Sequence, residues 1–425
     1  MIAAVLGSTG NVGFHVVCNL SESLVNKTKN SPSEILAITR DINSSTAKSL
    51  AKLPGVIVVH GDVTDIDSMR VALTSRYESF SDMENQKMKP FVDRVFVALP
   101  QCFSPNEMVD TGKKLADLAF ELRIDTVVRL SSFGIDKKSI CGGLVSQGPL
   151  GDAHIAIEKY HNDIGLNTIS IRPTSFFNNF VKYNLPDLKK SMKELKRIEQ
   201  QKTIAETIAA ASPSSSSSFV DNTSASMQSE IDTAGHSGGE LPNLYLHSPL
   251  GIEPESRVNW VSEEDVGAVA AMAIIGLHLA APHAPLKPAD LCQKNDYGIY
   301  ESKSHQMLTG HFVHAIDVTG PPCNTMNGSE QAALLSAVLT DAAGLQRTVK
   351  YVQTDLPDFE PYAGLWRFLR LGGFDHENNT VKDATSREPQ EFRVCILRHL
   401  GHKEKTCDIP LDFNYIFSLD WLISR

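Results

Sequence analysis

Three glycines near the start of the chain are spaced so that they could hold a phosphate group. Gly7, Gly10 and Gly13 follow the apolar run 2–6, with the spacing G-x-x-G-x-x-G rather than the usual G-x-G-x-x-G. In a dinucleotide-binding turn, such glycines form the tight turn, let the backbone approach the pyrophosphate and allow close packing of helix on strand. The phosphate would lie on free N–H groups at the start of the next helix. The predicted phosphate contacts are Gly7, Thr9, Gly10, Asn11, Val12 and Gly13.

The end of the second apolar run indicates which dinucleotide the turn would bind. A cofactor without a 2′-phosphate is normally held there by a carboxylate, but this run ends in Thr39 and Arg40. Because a guanidinium binds phosphate through two hydrogen bonds, Arg40 favours NADP(H), with NAD(H) less favoured. The alternative is an exposed arginine paired with Asp41. The other predicted cofactor contacts are Asp62, Val63, Leu99 and Pro100.

Six short apolar runs are predicted to form the strands that carry these residues. They are rich in β-branched residues and alternate with longer helical patterns, as is typical of strands buried on both faces. Repeated β–α–β units predict an α/β fold with a doubly wound, mostly parallel, Rossmann-like sheet. The strand candidates span 2–6, 34–40, 56–60, 94–100, 126–132 and 167–173, and the helix candidates span 11–23, 65–76, 105–122 and 151–164.

The chain divides into three parts by composition. Residues 1–181 carry the repeated units and form the predicted NAD(P)-binding domain. Residues 182–243 begin as a helical stretch and continue as a Ser-rich insertion, 211–243, whose composition predicts disorder. Residues 244–425 are expected to form a smaller C-terminal α+β lobe for substrate or partner, which completes the Rossmann-like domain in part and carries a loop insertion near 284–310.

Composition and charge narrow the possible functions. Of the 425 residues, 42% are hydrophobic and 21% charged, and the net charge of -10 argues against a nucleic-acid-binding surface. The seven cysteines are widely spread without a CxxC pair, which indicates reduced thiols. The first strand candidate leaves no room for a leader peptide, and no window approaches the roughly 18 apolar residues of a membrane span. We therefore expect a cytoplasmic monomer or homodimer with no membrane or nucleic-acid partner.

Six stretches form a recognisable pattern, and the later ones are more specific than the glycine loop. They are VLGSTGNVG, TRD, GDVTD, VVRLSSFG, HIAIEKYHNDIGLNTISIRPTSFFNNF and VNWVSEEDVGAVAA. Together they resemble the NmrA-like family of atypical short-chain dehydrogenases/reductases over most of 1–181, over 239–277 and, more faintly, over 311–400. The resemblance implies a Rossmann-like domain, a small C-terminal lobe and an NADP-preferring site. Similar proteins include NADPH-dependent reductases of quinones, dyes and related electron-poor substrates, and regulators that bind the dinucleotide without turnover.

The catalytic pair of ordinary short-chain dehydrogenases is missing. They use a tyrosine and, four residues later on one helix, a lysine that lowers the phenol's pKa, and this chain contains no Y-x-x-x-K. The resemblance places Lys159 at the helix lysine and Ile155 at the tyrosine. We expect Lys159 to contact the ribose or nicotinamide side of the cofactor; the alternative is a solvated helix lysine. His154 is a candidate proton donor or else a packing residue, and Ser132 is a candidate substrate contact or else a turn residue.

Aromatic and amide side chains predict a pocket for a flat, conjugated ligand. One group follows the fourth strand candidate, and the stretch TSFFNNF follows the sixth. The alternative is that two of the three phenylalanines in this stretch are core between the two lobes, and Phe177 is the weakest pocket candidate. The predicted pocket residues are Gln101, Phe103, Phe176 and Asn178.

One cluster near the C-terminus has residue types that bind zinc. The stretch CILRHLGHKEKTC spaces Cys395, His399, His402 and Cys407 as C-x3-H-x2-H-x4-C. Structural zinc sites pair their cysteines closely, and this stretch does not. We therefore predict no metal site.

Two functions remain open from the sequence. The first is an NADPH-dependent oxidoreductase that transfers hydride to a small electron-poor acceptor of the quinone, dye or enal type. The second is a non-enzymatic NADP(H) sensor that acts through a regulatory protein partner. The missing tyrosine favours the sensor, whereas the lysine and the aromatic pocket favour the enzyme, which we prefer because the cofactor itself carries the hydride chemistry.

Overall fold

The computed structural model describes residues 1–74, 92–100, 102–135, 139–140, 143–144, 147–182, 244–248, 256–276, 305–306, 312–343, 348–353 and 363–399. The helices are α1 (Asn11–Val25), α2 (Ser45–Leu50), α3 (Ile66–Thr74), α4 (Pro105–Glu121), α5 (Pro149–Asp163), α6 (Glu263–Ile275), α7 (Gly328–Ala343), α8 (Ala363–Arg370), α9 (Thr380–Thr385) and α10 (Phe392–His399), with a 3₁₀ turn at Pro322–Asn324. The strands are β1 (Ile2–Leu6), β2 (Glu34–Thr39), β3 (Val56–His60), β4 (Arg94–Val97), β5 (Thr126–Leu130), β6 (Ser139–Ile140), β7 (Gly143–Leu144), β8 (Thr168–Pro173), β9 (Ser175–Phe176), β10 (Leu244–Ser248), β11 (Val258–Val261), β12 (His305–Gln306), β13 (Phe312–Val318), β14 (Thr325–Met326) and β15 (Val349–Gln353).

The central sheet, as far as the described residues show it, has seven parallel strands and one antiparallel edge strand. Their order is β12-β13-β8-β5-β4-β1-β2-β3, and β12 is the antiparallel member. The strand order reverses between the neighbours β1 and β4. In doubly wound sheets, ligands bind outside the carboxyl ends of the strands at this switch point. The structure thus confirms the predicted doubly wound, mostly parallel, Rossmann-like sheet.

Helices cover both faces of this sheet. Because side chains alternate along a strand, Ala3 and Val5 of β1 join an apolar core with α1 and α6, whereas Ala4 and Leu6 join another with α3 and α4. The contact between α1 and α6 is close, since a Cβ on Gly267 would lie 2.5 Å from the Cβ of His15. Burial of both faces explains why the strands are continuous apolar runs in the sequence.

The observed elements differ from the predicted ones mainly at the carboxyl edge of the sheet. β4 ends at Val97 and β5 at Leu130, whereas the predicted strands continue to 100 and 132. There the chain turns out of the sheet, and Pro100 has no N–H for a strand partner. The short helix α2 is not predicted; it begins after Ser44, whose side chain accepts the N–H of Ala47 at 3.2 Å.

The C-terminal lobe has an aromatic core of its own. Two small sheets, β10-β15 and β14-β11-β9, lie beside it. Phe392 of α10 stacks on Trp260 of β11 with centroids 5.6 Å apart, and it meets the edge of Phe180 at 4.8 Å. The same part of the chain supplies β13 and α6 to the Rossmann-like domain. The Ser-rich insertion 211–243 lies outside the described residues, as does all of 284–310 apart from β12.

Two buried carboxylates join the start of α6 to other segments. Glu263 Oε1 accepts the backbone N–H of Asn178 at 3.1 Å, and burial raises the pKa of Glu263 to about 7. Asp265 Oδ2 accepts the backbone N–H of Gln390 at 2.7 Å, and burial raises the pKa of Asp265 to about 6. A carboxyl group whose pKa rises on folding costs stability once the pH exceeds its unfolded pKa.

We expect Glu263→Gln to stabilise the protein above pH 7. The folded chain keeps the Glu263 proton up to about pH 7, while the unfolded chain releases it near the ordinary value of 4.5. Between these values the free energy of unfolding of the wild type should fall relative to the variant, by about 3 kcal/mol in total. Urea unfolding across this pH range measures the difference, with the exposed Glu22→Gln as the control. Equal pH slopes for wild type and Glu263→Gln would contradict the prediction.

Candidate functional site

The glycine loop between β1 and α1 forms a cradle made of backbone. Gly7 has a left-handed φ of 71°, and its carbonyl accepts the N–H of Gly10 at 2.9 Å. A Cβ on Gly13 would lie 2.2 Å from the carbonyl oxygen of Gly7, so the start of α1 sits directly on the turn. Gly10 caps α1 without a side-chain hydrogen bond. The first-turn N–H groups, from Asn11 and Val12 onward, therefore have no partner within the helix.

The cradle lies at the switch point of the sheet. A Cβ on Gly7 would be 3.2 Å from the carbonyl oxygen of Ala98, which directly follows β4. On the other side, the hydroxyl oxygens of Thr9 and Thr39 lie 3.1 Å apart, so the loop is tied to the end of β2. The structure thus brings the predicted phosphate contacts together at the edge where β1, β2 and β4 end.

Arg40 follows β2 at the same edge and is exposed. The carboxylate of Asp41 accepts the N–H of Asn43 at 2.8 Å. Within the described ranges, no ion pair involves Arg40. The donors of this guanidinium are therefore available to an anion beside the glycine loop.

The other predicted cofactor contacts lie after β3 and β4. Asp62 Oδ1 accepts the N–H and the hydroxyl of Thr64 at 2.9 and 2.8 Å, so one of its oxygens belongs to a local turn. Val63 and Leu99 are partly buried against the core under α3 and α4. The carbonyl of Pro100 accepts the N–H of Phe103 at 3.3 Å, which holds the loop after β4.

Beyond the switch point, a buried ion cluster joins β5, β8 and α5. Arg129 of β5 and Arg172 of β8 contact opposite oxygens of Glu158 of α5, at 3.2 and 2.5 Å. The hydroxyl of Ser131 donates to the same carboxylate at 2.8 Å. Burial alone would raise the pKa of Glu158, but the two guanidinium groups outweigh it and hold that pKa below its usual range. Within the described part of the chain, one carboxylate thus contacts both guanidinium groups.

His154 lies against this cluster. Its Nδ1 is 3.0 Å from Nη2 of Arg129, and because a guanidinium only donates, Nδ1 is the acceptor and the ring proton is on Nε2. Burial, with Arg129 and Arg172 nearby, holds the pKa of His154 well below its usual range. The imidazole is therefore neutral at physiological pH, and its proton on Nε2 is a hydrogen-bond donor.

The other two predicted catalytic residues lie at different depths. Ser132 directly follows the buried Ser131 and donates to the side-chain oxygen of Gln147 at 2.9 Å, just ahead of α5. Lys159 is exposed. It lies about 140° around the helix from His154. The structure thus brings Ser132 and His154 to the carboxyl end of β5 and leaves the side chain of Lys159 exposed on α5.

The predicted pocket residues are only partly together. Gln101 lies outside the described residues, and Phe103 is half-buried in a small cluster with Leu99 and Ala153. Phe176 and Asn178 are half-buried after β8, whereas Phe177 is buried and meets Phe392 edge-on at 5.3 Å. Phe180 also belongs to the aromatic core of the lobe. Phe177 and Phe180 therefore follow the core alternative.

Of the four residues with zinc-like spacing near the C-terminus, Cys395 and His399 lie within the described part of the chain. Cys395 is partly buried in the lobe core, whereas His402 and Cys407 lie outside the described residues. Among the residues that the structure covers, no group of three or more potential metal ligands lies together. No helix in that same set is both long and apolar enough to cross a membrane.

Sequence reasoning missed the ion cluster. Arg129 and Arg172 stand inside the apolar runs TVVRLSS and NTISIRP, and Glu158 stands at helical spacing from the apolar face of α5. A charged residue within a strand that is buried on both faces needs a buried partner, so these arginines were a usable signal. His376, which stacks on Phe133 next to Ser132 at 4.8 Å, has no such signal in the sequence.

The fold and the glycine cradle define a Rossmann-like protein with a dinucleotide-type phosphate loop. A family model for the NmrA-like family matches residues 2–278. Since the match covers more than half of the chain, the protein belongs to the NmrA-like family.

Three solved structures illustrate the likeness. Triphenylmethane reductase from Citrobacter sp., complexed with NADP(H), is 13% identical with a TM-score of 0.53, covering 94% of this chain and 99% of that one. An NADPH-dependent quinone oxidoreductase from Escherichia coli, complexed with NADPH, is 15% identical with a TM-score of 0.51, covering 94% and 100%. NmrA, a negative transcriptional regulator in complex with NAD, is 12% identical with a TM-score of 0.50, covering 92% and 93%. At these identities the likeness establishes the fold.

We expect Glu158→Gln to destabilise the fold strongly. The variant leaves two buried guanidinium groups without their carboxylate, and breaking a buried ion pair in this way costs about 3–5 kcal/mol. Urea unfolding at neutral pH measures the loss. Glu121→Gln is the control, because Glu121 pairs with Arg70 in an exposed bidentate contact at 2.6 Å. If both variants shift the unfolding midpoint equally, the cluster contributes no more than a surface pair.

Proposed function

We propose that the protein is an NADPH-dependent oxidoreductase that transfers hydride to a small electron-poor acceptor of the quinone, dye or enal type. The observation that carries the proposal is the backbone cradle at the β1–β4 switch point, with the exposed Arg40 beside it. The 2.2 Å between a Cβ on Gly13 and the carbonyl of Gly7 means that only glycine fits there. The family match and the two reductases of the same fold support this choice.

The residues of this edge fit a dinucleotide with a 2′-phosphate. The pyrophosphate would lie on the free N–H groups of the first turn of α1, and the 2′-phosphate on Arg40. The bound cofactor supplies the hydride, and the protein supplies position and electrostatics. The residues assigned to this site are Gly7, Thr9, Gly10, Asn11, Val12, Gly13, Arg40, Asp62, Val63, Leu99 and Pro100. The exposure of Lys159 favours the solvated-lysine alternative for that residue.

The acceptor end of the site would lie at the carboxyl ends of β5 and β8. Ser132 and the half-buried Asn178 offer polar contacts there, and Phe103 and Phe176 offer apolar ones. With no Y-x-x-x-K, the Tyr–Lys pair that ordinary short-chain dehydrogenases use for proton transfer is missing. The proton that completes the reduction would come from water, which suits acceptors whose reduced anion is stable.

The second candidate is a dinucleotide sensor that acts through a protein partner. It is favoured by the absence of the Tyr–Lys pair, and the regulator NmrA shares the fold. Both candidates use the same cradle. They differ in whether bound NADPH is consumed.

We expect Arg40→Ala to weaken NADPH binding roughly ten- to a hundredfold, the size of a lost charge-assisted contact. NADH lacks the 2′-phosphate, so its affinity should stay unchanged. Calorimetric titration of both nucleotides measures the two effects. Lys114→Ala is the control, since Lys114 pairs with Asp110 on the exposed side of α4. An equal loss of affinity for NADH and NADPH would mean that Arg40 does not bind the 2′-phosphate.

We expect the wild-type protein to consume NADPH with at least one quinone, triphenylmethane dye or enal. Gly13→Ala should abolish both binding and turnover, because its methyl group would overlap the carbonyl of Gly7. Absorbance of the reduced nicotinamide follows turnover, and calorimetry follows binding. Tight NADPH binding without turnover of any acceptor in the panel would reject the oxidoreductase and leave the sensor.

A further inference from the structure

We infer that Arg129 is a positioning residue that fixes His154 as the Nε2–H tautomer, so that His154 donates a hydrogen bond to the acceptor's oxygen without transferring a proton. This inference rests on the proposed function. It assigns a role to a buried arginine that the cofactor site does not use, and it changes the role of His154 from a proton donor to a neutral electrophile.

The first step is the tautomer. Arg129 Nη2 donates to Nδ1 of His154 at 3.0 Å. Nη1 of the same guanidinium contacts Glu158 at 3.2 Å and Ser131 at 3.4 Å. A guanidinium has no acceptor atom, so it can only bind the Nδ1 lone pair. With Arg129 held from both sides, the other tautomer would set an N–H against an N–H.

The second step is the charge around the ring. Among the described residues, the charged groups that act on His154 are Arg129 from β5 and Arg172 from β8. Glu158, on the same helix as His154, contacts both arginines. His161, further along α5, bonds Thr168 at 2.8 Å, and burial lowers its pKa to about 3. Burial and the positive charges of Arg129 and Arg172 all disfavour a proton added to His154 and hold the pKa of His154 well below its usual range. The ring therefore stays neutral.

The third step is location. Gln147, just ahead of α5, bonds both Ser132 and the carbonyl of Phe133, so the start of α5 is anchored at the carboxyl end of β5. Ala153, next to His154, packs in one cluster with Leu99 and Phe103, the residues that follow β4. His154 itself is half-buried. Because Nδ1 of His154 contacts Arg129, Nε2 lies on the edge of the imidazole ring that faces away from Arg129.

The reaction balances without a protein acid. A quinone or enal acceptor would gain a hydride from bound NADPH, which would leave as NADP⁺, and the electron pair displaced in the acceptor would end on its oxygen. The Nε2–H of His154 stabilises that negative charge by a hydrogen bond and keeps its proton. Water then protonates the oxygen.

The test combines nitrogen NMR with kinetics on the full-length protein. In ¹⁵N-histidine-labelled protein, the His154 signals, assigned by their loss in His154→Gln, should show the neutral Nε2–H form throughout the pH range of ordinary histidine titration. Arg129→Met removes the guanidinium, keeps an unbranched apolar side chain, and leaves Glu158 paired with Arg172. In that variant, we expect mixed tautomers and an imidazolium that appears as the pH falls. A wild-type ring protonated on Nδ1, or charged near neutrality, would overturn the inference.

The kinetic experiment tests whether the Nε2–H of His154 donates a hydrogen bond to the substrate that accepts the hydride. His154→Leu should lower kcat roughly ten- to a hundredfold, somewhat less than the loss of an oxyanion-hole donor, with little change in KM. His154→Gln retains an N–H donor near the Nε2 position and should recover most of that loss. A wild-type kcat in His154→Leu would overturn the role of His154 while leaving the oxidoreductase intact. If the wild type binds NADPH but turns over no acceptor, the proposed function fails, and this role of His154 fails with it.

Discussion

The buried contact of Glu158 with two arginines is the constraint on which the geometry of the site depends. Arg129, Arg172 and Glu158 come from three separate elements, and each side chain is at most 9% exposed. A charge in such surroundings is tolerated only when paired, so β5, β8 and α5 are locked in one register. That register sets where α5 begins relative to the edge of the sheet. The positions of Ser132, Gln147 and His154 follow from it.

A second, independent constraint acts at the other side of the switch point. The turn around Gly7 depends on backbone contacts alone, because the approach of Gly13 leaves no space for a side chain. The ion cluster is the opposite case, because its contacts are made by side chains while the backbone is regular strand and helix. The same edge of the sheet therefore has the glycine cradle after β1 and the buried ion cluster at β5 and β8. The two meet where an acceptor would face the cofactor.

The strands and the glycine cradle could be predicted from the sequence, whereas the buried contacts among the side chains of β5, β8 and α5 could not. Strands buried on both faces leave continuous apolar runs, so the strand positions and the doubly wound order could be derived from pattern alone. The glycine spacing likewise marked the cradle, because a backbone contact needs a specific residue type. The partnership of Arg129 with Glu158, 29 residues apart, depends on how α5 turns its polar residues toward the sheet. The sequence favoured Lys159 over His154 as a site residue, whereas in the structure Lys159 is exposed and His154 contacts Arg129.

The missing tyrosine limits the acceptor more than it limits the reaction. Hydride addition to an ordinary ketone produces an alkoxide, a strong base that needs an acid already in place. Addition to a quinone, a cationic dye or an enal produces an anion that is delocalised, or neutralises a charge already present. A neutral N–H donor can support such a product, because the donor must only stabilise charge in a site of low dielectric. Under the proposed function, a site that keeps its histidine neutral beside two buried arginines would therefore suit electron-poor acceptors better than simple carbonyls.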